Sequence, residues 1–142
     1  MPFETICCVN MKKVLFAIVV CLSMVLTGCK DKTISTTYTI GCLEYQYGSV
    51  QGSEWNALQT YFENNVTYNK IVTFENKTLS ENDAEAVQLY RGQVAKLDKE
   101  YVCSLLSDTD FFVYGIAKRN ADGTYTRLGA IRFSENGAVE ER

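Results

Sequence analysis

The sequence predicts an α+β fold, a two-layer sandwich in which two helices cover one face of a four-stranded, mixed or antiparallel sheet, in the order β-α-β-α-β-β. Three observations support this prediction. Four segments have the composition of strands, two segments have apolar residues at helical spacing, and an Asp-Gly pair separates the last two strands. No segment reads as an interdomain linker, so residues 37–134 are expected to form one domain.

The first strand and the first helix are predicted for residues 37–48 and residues 53–64. The strand segment is rich in Tyr, Thr and Ile, and Gly41 within it indicates a bulge or bend. Ser53 is a suitable N-cap, and Glu54 lies in the first turn, where the helix dipole favours a carboxylate. The apolar stripe of this helix consists of Trp55, Leu58 and Phe62.

The second strand and the second helix are predicted for residues 70–77 and residues 81–106. Ser80 begins a segment that resembles a capping box, with Asp83 in place of the usual Glu. Apolar residues then recur at intervals of 3, 4, 3 and 4 positions, namely Val87, Tyr90, Val94, Leu97 and Tyr101. This spacing predicts one uninterrupted amphipathic helix that packs on the sheet.

The last two strands are predicted as a hairpin formed by residues 110–119 and residues 123–133. Asp122-Gly123 between them supplies the positive φ angles that short hairpin loops require. Residues 135–142 are polar and are expected to form a frayed tail.

The N-terminal part of the chain has the organisation of an export signal. Two lysines follow Met11, residues 14–26 form an apolar run, and small residues come next. The run spans about 20 Å as a helix, well short of the roughly 30 Å hydrocarbon core of a bilayer. Residues 11–28 are therefore predicted to be a signal peptide, and translation is expected to start at Met11, which makes residues 1–10 a mis-assigned start.

Leu26-Thr27-Gly28-Cys29 at the end of this signal resembles the lipobox of bacterial lipoproteins. The resemblance implies that Cys29 carries a diacylglyceryl group, that cleavage precedes it, and that a fatty acid such as palmitate acylates the new amino group. Several buried acyl chains would make membrane attachment stable. Residues 29–36 then form a lipidated tether. Lys30, where inner-membrane lipoproteins of some bacteria carry Asp, favours the outer membrane, with the protein facing the periplasm.

Composition excludes several classes of function. The chain has no histidine, which removes Ser-His-Asp and Cys-His catalysis and the imidazole ligands of most catalytic zinc sites. The net charge is −3 and the basic residues are scattered, so a nucleic-acid partner is not expected. Neither a metal-ligand pattern nor a phosphate-binding loop is present, and no cofactor is predicted.

Four residues on the predicted strands are candidates for ligand binding, namely Tyr45, Tyr47, Tyr125 and Arg127. At a spacing of two they would lie on the sheet face that the helices leave open, where aromatic rings stack on sugars or receive a peptide. The alternative is ordinary strand packing, which the β-propensity of aromatic residues explains without a ligand.

Cys42 and Cys103 are the cysteines that follow Cys29, and in an oxidising compartment they are candidates for a disulfide. The phase of one continuous helix argues against this bond. It turns Cys103 about 180° away from the apolar stripe, whereas a disulfide requires Cα atoms within about 7 Å of each other.

These observations favour a lipid-anchored envelope protein that is not an enzyme and that binds another envelope protein or a carbohydrate. The alternatives are a small glycan hydrolase that uses two carboxylates, or a structural accessory of an envelope complex. The carboxylates available to a hydrolase include Glu44, Glu54, Glu75, Asp108 and Asp110.

Overall fold

A computed structural model describes residues 32–48 and 52–141. The predicted mis-assigned start, the signal peptide and Cys29 lie outside these residues. The helices and strands in chain order are β1 (Ile34–Gln46), α1 (Gly52–Asn65), β2 (Lys70–Asn76), α2 (Leu79–Val94), α3 (Lys99–Ser104), β3 (Phe111–Arg119), β4 (Tyr125–Ser134) and β5 (Gly137–Glu141). No helix among the described residues combines the length and the apolar character needed to cross a bilayer.

The strands form one sheet in the order β2-β1-β3-β4-β5, and every neighbouring pair is antiparallel. The predicted α+β class is confirmed, and of the two forms left open for the sheet, mixed or antiparallel, the structure has the antiparallel one. The number of elements differs, because the described residues form five strands and three helices instead of four strands and two helices. The register is interrupted between Cys42 and Glu44 in β1, and again beside Ile116 in β3.

The fifth strand corrects the prediction of a frayed tail over residues 135–142. β5 pairs with Ala130–Ser134 of β4, and the carboxylate of Glu141 accepts hydrogen bonds from Arg127 and Arg132. β5 has no apolar alternation, so its stability depends on this pairing and on these ion pairs. At the other end of the fold, β1 begins at Ile34, within the segment predicted as a tether.

The third helix corrects the prediction of one helix over residues 81–106. α2 ends at Val94, and Asp98 begins α3 by accepting a hydrogen bond from the backbone N–H of Tyr101. Leu97 and Val102 on either side of this cap are both buried. The apolar spacing therefore continues across the break and does not reveal it.

The core lies between the helices and one face of the sheet, and it is strongly aromatic. Leu58 and Phe62 are fully buried, which confirms the stripe predicted for α1. The ring centroid of Phe62 lies 4.8 Å from that of Phe112 and 5.3 Å from that of Tyr114. Burial of each large side chain contributes roughly 1.5–3 kcal/mol. α1 is thus firmly placed over β1 and β3.

The opposite face of the sheet carries a network of ion pairs. Arg127 and Arg132 bind the carboxylates of Glu44 and Glu141, with an Arg127–Glu141 separation of 2.7 Å. Val113 lies in register between Glu44 and Arg132 and is fully buried, although it points away from the helices. The ion network therefore covers an apolar position on the open face.

Candidate functional site

The C-terminal half of β1 has a free edge. β2 pairs with β1 only as far as Ile40, and the chain leaves the line of β2 at Asn69, which has a φ of 50°. The side-chain oxygen of Asn69 accepts a hydrogen bond from the backbone N–H of Cys42, at 3.0 Å. Within the described residues, no strand pairs with this side of residues 42–46.

Glycine at position 41 permits this arrangement. Gly41 has a φ of 154°, and a Cβ atom at this position would lie 2.4 Å from the backbone nitrogen of Asn69. A side chain would therefore push the α1–β2 loop away from the edge. Asn69 therefore lies close to β1 and forms one wall of a depression between β1 and α1.

A depression of about 330 Å³ lies between the free edge and α1, and we call it the aromatic groove. The residues that line it are Cys42, Leu43, Glu44, Tyr45, Trp55, Gln59, Tyr68 and Asn69. The ring of Tyr45 lies 4.9 Å from that of Trp55 and is 58 % exposed. Tyr47 meets Trp55 edge-on at 3.9 Å, and Phe112 supports Trp55 from the core at 6.2 Å. The rings of Tyr45 and Trp55 thus form an aromatic ledge, which Tyr47 and Phe112 hold in place.

The polar groups of the groove are mainly amides and hydroxyls. The hydroxyl of Tyr68 donates a hydrogen bond to the side-chain oxygen of Gln59, at 2.7 Å. The amide nitrogen of Gln59 is buried, and the described part of the chain offers it no acceptor. A buried donor without a partner costs about 1–3 kcal/mol. This nitrogen has almost no accessible surface, so a ligand in the groove does not reach it without a rearrangement of the Gln59 side chain.

The groove is close to electrically neutral. Burial raises the pKa of the Cys42 thiol to about 11 and also raises the pKa of the Tyr68 hydroxyl, so both groups remain protonated at neutral pH. The carboxylate of Glu44 accepts a hydrogen bond from Arg127 at 3.2 Å. The arrangement therefore suits a neutral ligand that presents an apolar face and hydrogen-bonding groups.

The structure separates the four candidate residues of the sequence analysis. Tyr45 and Tyr47 lie on the helix side of the sheet, next to Trp55, whereas the open face was predicted. Tyr125 and Arg127 do lie on the open face, where they line another depression of about 360 Å³. The bulge around Leu43 explains the difference, because one extra residue reverses the alternation of every later side chain.

Both cysteines of the folded part are free thiols. Cys42 lines the aromatic groove, whereas Cys103 on α3 lies beside the backbone of Ser134 and Gly137 at the β4–β5 turn. The expectation that Cys103 points away from the packed face is wrong, because the chain turns between α2 and α3 and Cys103 packs against the core. The structure therefore contains no Cys42–Cys103 disulfide.

The carboxylates of the described residues differ in burial. Asp110 is buried and holds the end of β1 by accepting a hydrogen bond from the N–H of Gly48, at 2.6 Å. Glu100 and Glu135 line one depression beside α3, but both are exposed, so neither is desolvated as a general acid requires. The described residues contain no group of three or more potential metal ligands.

Gln59, Tyr68 and Asn69 belong to no sequence motif that marks them as site residues, and the pattern around Trp55 predicts helix packing alone. Asn69 follows Tyr68 in the loop between α1 and β2, a type of residue that tolerates positive φ. This tolerance of asparagine for positive φ is consistent with a tight turn at position 69. No local sequence pattern within residues 55–69 shows that their side chains lie next to Tyr45.

Comparison with known protein families, with curated proteins and with solved structures found no match to this chain. Functional inference therefore depends on the groove and on the sequence signals.

Proposed function

We propose that this chain is a lipid-anchored protein of the bacterial envelope that binds a neutral carbohydrate in the aromatic groove and catalyses no reaction on it. The export signal and the lipobox support attachment through Cys29, and Lys30 favours the periplasmic face of the outer membrane. The folded part begins soon after this anchor, at Ile34.

One observation supports carbohydrate most directly, namely the exposed ring of Tyr45 beside the ring of Trp55 on the wall of the groove. Sugar rings present an apolar C–H face that packs on aromatic rings and hydroxyl oxygens that accept hydrogen bonds from amides. The volume of about 330 Å³ lies at the lower end of small-molecule sites, which span roughly 300–1,000 Å³.

Electrostatics favour a neutral sugar over a charged one. The Cys42 thiol and the Tyr68 hydroxyl are protonated at neutral pH, and Glu44 is already engaged by Arg127. Glu44 is the one charged residue among the described residues that line the groove, and Arg127 holds its carboxylate on the opposite face of the sheet. A charged ligand therefore gains no ionic partner in the groove, whereas neutral hydroxyls can form hydrogen bonds with its polar groups.

Trp55 provides the measurement, because it is the single tryptophan of the chain. The full chain in detergent is titrated with tetra-N-acetylchitotetraose, cellotetraose, maltotetraose and mannotetraose, and tryptophan fluorescence is recorded. At least one sugar is expected to give a saturable change. Tyr45→Ala should weaken this binding about 10-fold, since an aromatic contact is worth about 0.5–1.5 kcal/mol beyond the area it buries.

The matched control is Tyr101→Ala, which removes an equally large and partly exposed ring from α3, outside the groove. This variant should bind like the wild type. If no sugar changes the fluorescence, or if both variants bind equally well, the carbohydrate proposal fails. The anchor is tested separately with Cys29→Ser, which should release the chain from membranes whatever happens at the groove.

An extended peptide is the second candidate ligand, favoured by the free edge of residues 42–46. Depressions on both faces of the sheet adjoin this edge and share Cys42 and Leu43, so they could receive alternate side chains of an added strand. Strand addition would slow amide hydrogen exchange along the edge. Binding of a sugar to the aromatic ledge would not require that protection.

A further inference from the structure

The outer edge of β2 is a second surface that the carbohydrate proposal does not use. β2 is the terminal strand of the sheet, and its pairing with β1 runs from Lys70 to Asn76 without a bulge. Among the described residues, no strand pairs with its outer side. The strand also lacks proline. A regular edge of this kind is a template for pairing with another chain.

β2 carries exposed apolar side chains, whereas native proteins usually protect an unpaired edge strand with charges or short length. Ile71 is 74 % exposed, the highest value among the large apolar side chains described. Val72 and Phe74 are only half-buried on the helix side. The other terminal strand, β5, differs, because it has five residues and ends in Glu140 and Glu141. Charges and short length protect β5, whereas the centre of β2 has no such protection.

We propose that the outer edge of β2 pairs with β2 of a second copy of this chain, antiparallel and centred on Thr73. This register places Thr73 opposite the partner's Thr73 and Val72 opposite the partner's Phe74. Thr–Thr pairs and aromatic pairs with β-branched residues are favourable across strands. The two sheets join into one sheet of ten strands with both helix layers on the same side.

The charges of the strand are compatible with this register. Lys70 lies opposite the partner's Asn76, and Glu75 lies opposite the partner's Ile71. No two like charges are directly opposed, which matters because such pairs destabilise strand pairing. In the dimer, the β2 strand of the partner covers part of each exposed Ile71 side chain.

The dimer is compatible with the proposed lipid anchor. In this register the two Ile34 residues are offset by six positions along the strands and by three strand spacings, a separation of about 25 Å. The chain from Cys29 to Ile34 reaches at most about 18 Å. Both copies can therefore attach to one membrane when the sheet lies along its surface. Confinement to a membrane raises the effective concentration of the two copies.

Cross-linking in membranes tests the pairing with the full chain. Thr73→Cys places two thiols at the twofold axis, where opposed Cα atoms lie about 4.5–5.5 Å apart, within the range of a disulfide. Thr60→Cys places a thiol on the exposed side of α1 as the control. Under mild oxidation Thr73→Cys should form covalent dimers at least 10-fold faster than Thr60→Cys. Equal rates would overturn the proposal.

Two further substitutions test the register in the Thr73→Cys chain. Ile71→Glu sets a carboxylate opposite the partner's Glu75 and should reduce cross-linking at least 10-fold. Ile71→Lys removes the same apolar contact but sets an ammonium opposite that carboxylate, so cross-linking should persist. Equal loss in both variants would overturn the Thr73-centred pairing. Neither substitution touches the aromatic groove, so sugar titrations should be unchanged in both.

Discussion

The ring of Tyr90 on α2 packs directly on the backbone of Gly129 on β4. A Cβ atom at position 129 would lie 2.8 Å from the ring carbons Cδ2 and Cε2 of Tyr90. Tyr90 is 3 % exposed and also stacks on Tyr114, with ring centroids 6.4 Å apart. The missing side chain at Gly129 therefore sets how closely α2 approaches the sheet.

Gly129→Ala is expected to destabilise the fold. The added methyl group must displace a buried ring that has little room to move, and overpacking of this kind typically costs about 1–3 kcal/mol. The measurement is the free energy of unfolding from urea titration. The control is Gly92→Ala on α2, where a Cβ atom meets nothing within 4 Å. This change should stabilise the fold by about 0.5–1 kcal/mol, because glycine is unfavourable inside a helix. Equal effects of the two substitutions would contradict the close packing of Tyr90.

Asp98→Ala is expected to weaken the start of α3. The carboxylate of Asp98 accepts a hydrogen bond from the N–H of Tyr101 at 3.1 Å, and loss of such a cap costs about 0.5–2 kcal/mol. Asp98→Asn keeps an acceptor at the same place and should retain most of the stability. Urea unfolding of both variants checks the difference. A loss as large for Asn as for Ala would argue against a capping role.

Asp83 and Glu44 are expected to differ in their contributions to stability. Asp83 accepts hydrogen bonds from Tyr38 and Lys118, each at 2.8 Å, and the Lys118 side chain is 15 % exposed. Asp83→Ala removes the acceptor of the half-buried Lys118 ammonium and one partner of the buried Tyr38 hydroxyl, and it should cost about 1–3 kcal/mol. Glu44 is 48 % exposed, so Glu44→Ala should cost at most about 1 kcal/mol. Thermal and urea unfolding of the two variants would show this order, and the reverse order would refute it.

The Cys42 thiol is expected to resist alkylation. Burial raises its pKa from 9.0 to about 11, and the thiolate is the reactive form. At pH 8 the folded chain should therefore react with iodoacetamide about 100-fold more slowly at Cys42 than the urea-unfolded chain does. Mass spectrometry of the peptide that contains Cys42 gives this rate. Alkylation of the folded chain at pH 8 as fast as that of the unfolded chain would contradict the raised pKa of the thiol.

The raised pKa of Cys42 also makes the free energy of unfolding depend on pH. Because the pKa of Cys42 is higher in the folded state than in the unfolded state, the folded state holds this proton more firmly. The free energy of unfolding should therefore fall as the pH rises from about 9 through 11. Cys42→Ala should make this decline shallower. The decline is followed by urea unfolding at successive pH values.

Local sequence patterns were sufficient to predict most of the helices and strands. The stripe of Leu58 and Phe62 placed α1, and the Asp122-Gly123 pair placed the hairpin of β3 and β4, because both signals act over a few neighbouring residues. The break between α2 and α3 was missed, since the apolar spacing passes through it and only the Asp98 side chain marks it. β5 was missed because its partner, β4, supplies its hydrogen bonds and ion pairs.

The sequence by itself determined the type of most helices and strands, the absence of imidazole chemistry and the motifs from which the lipid anchor is proposed. These are properties of composition or of short stretches of chain. Tertiary structure decided which face Tyr45 and Tyr47 occupy, because a single extra residue at Leu43 inverts an alternation of period two. It also brought Trp55, Gln59 and Asn69 to Tyr45. Such contacts join residues far apart in the chain, so no local pattern encodes them.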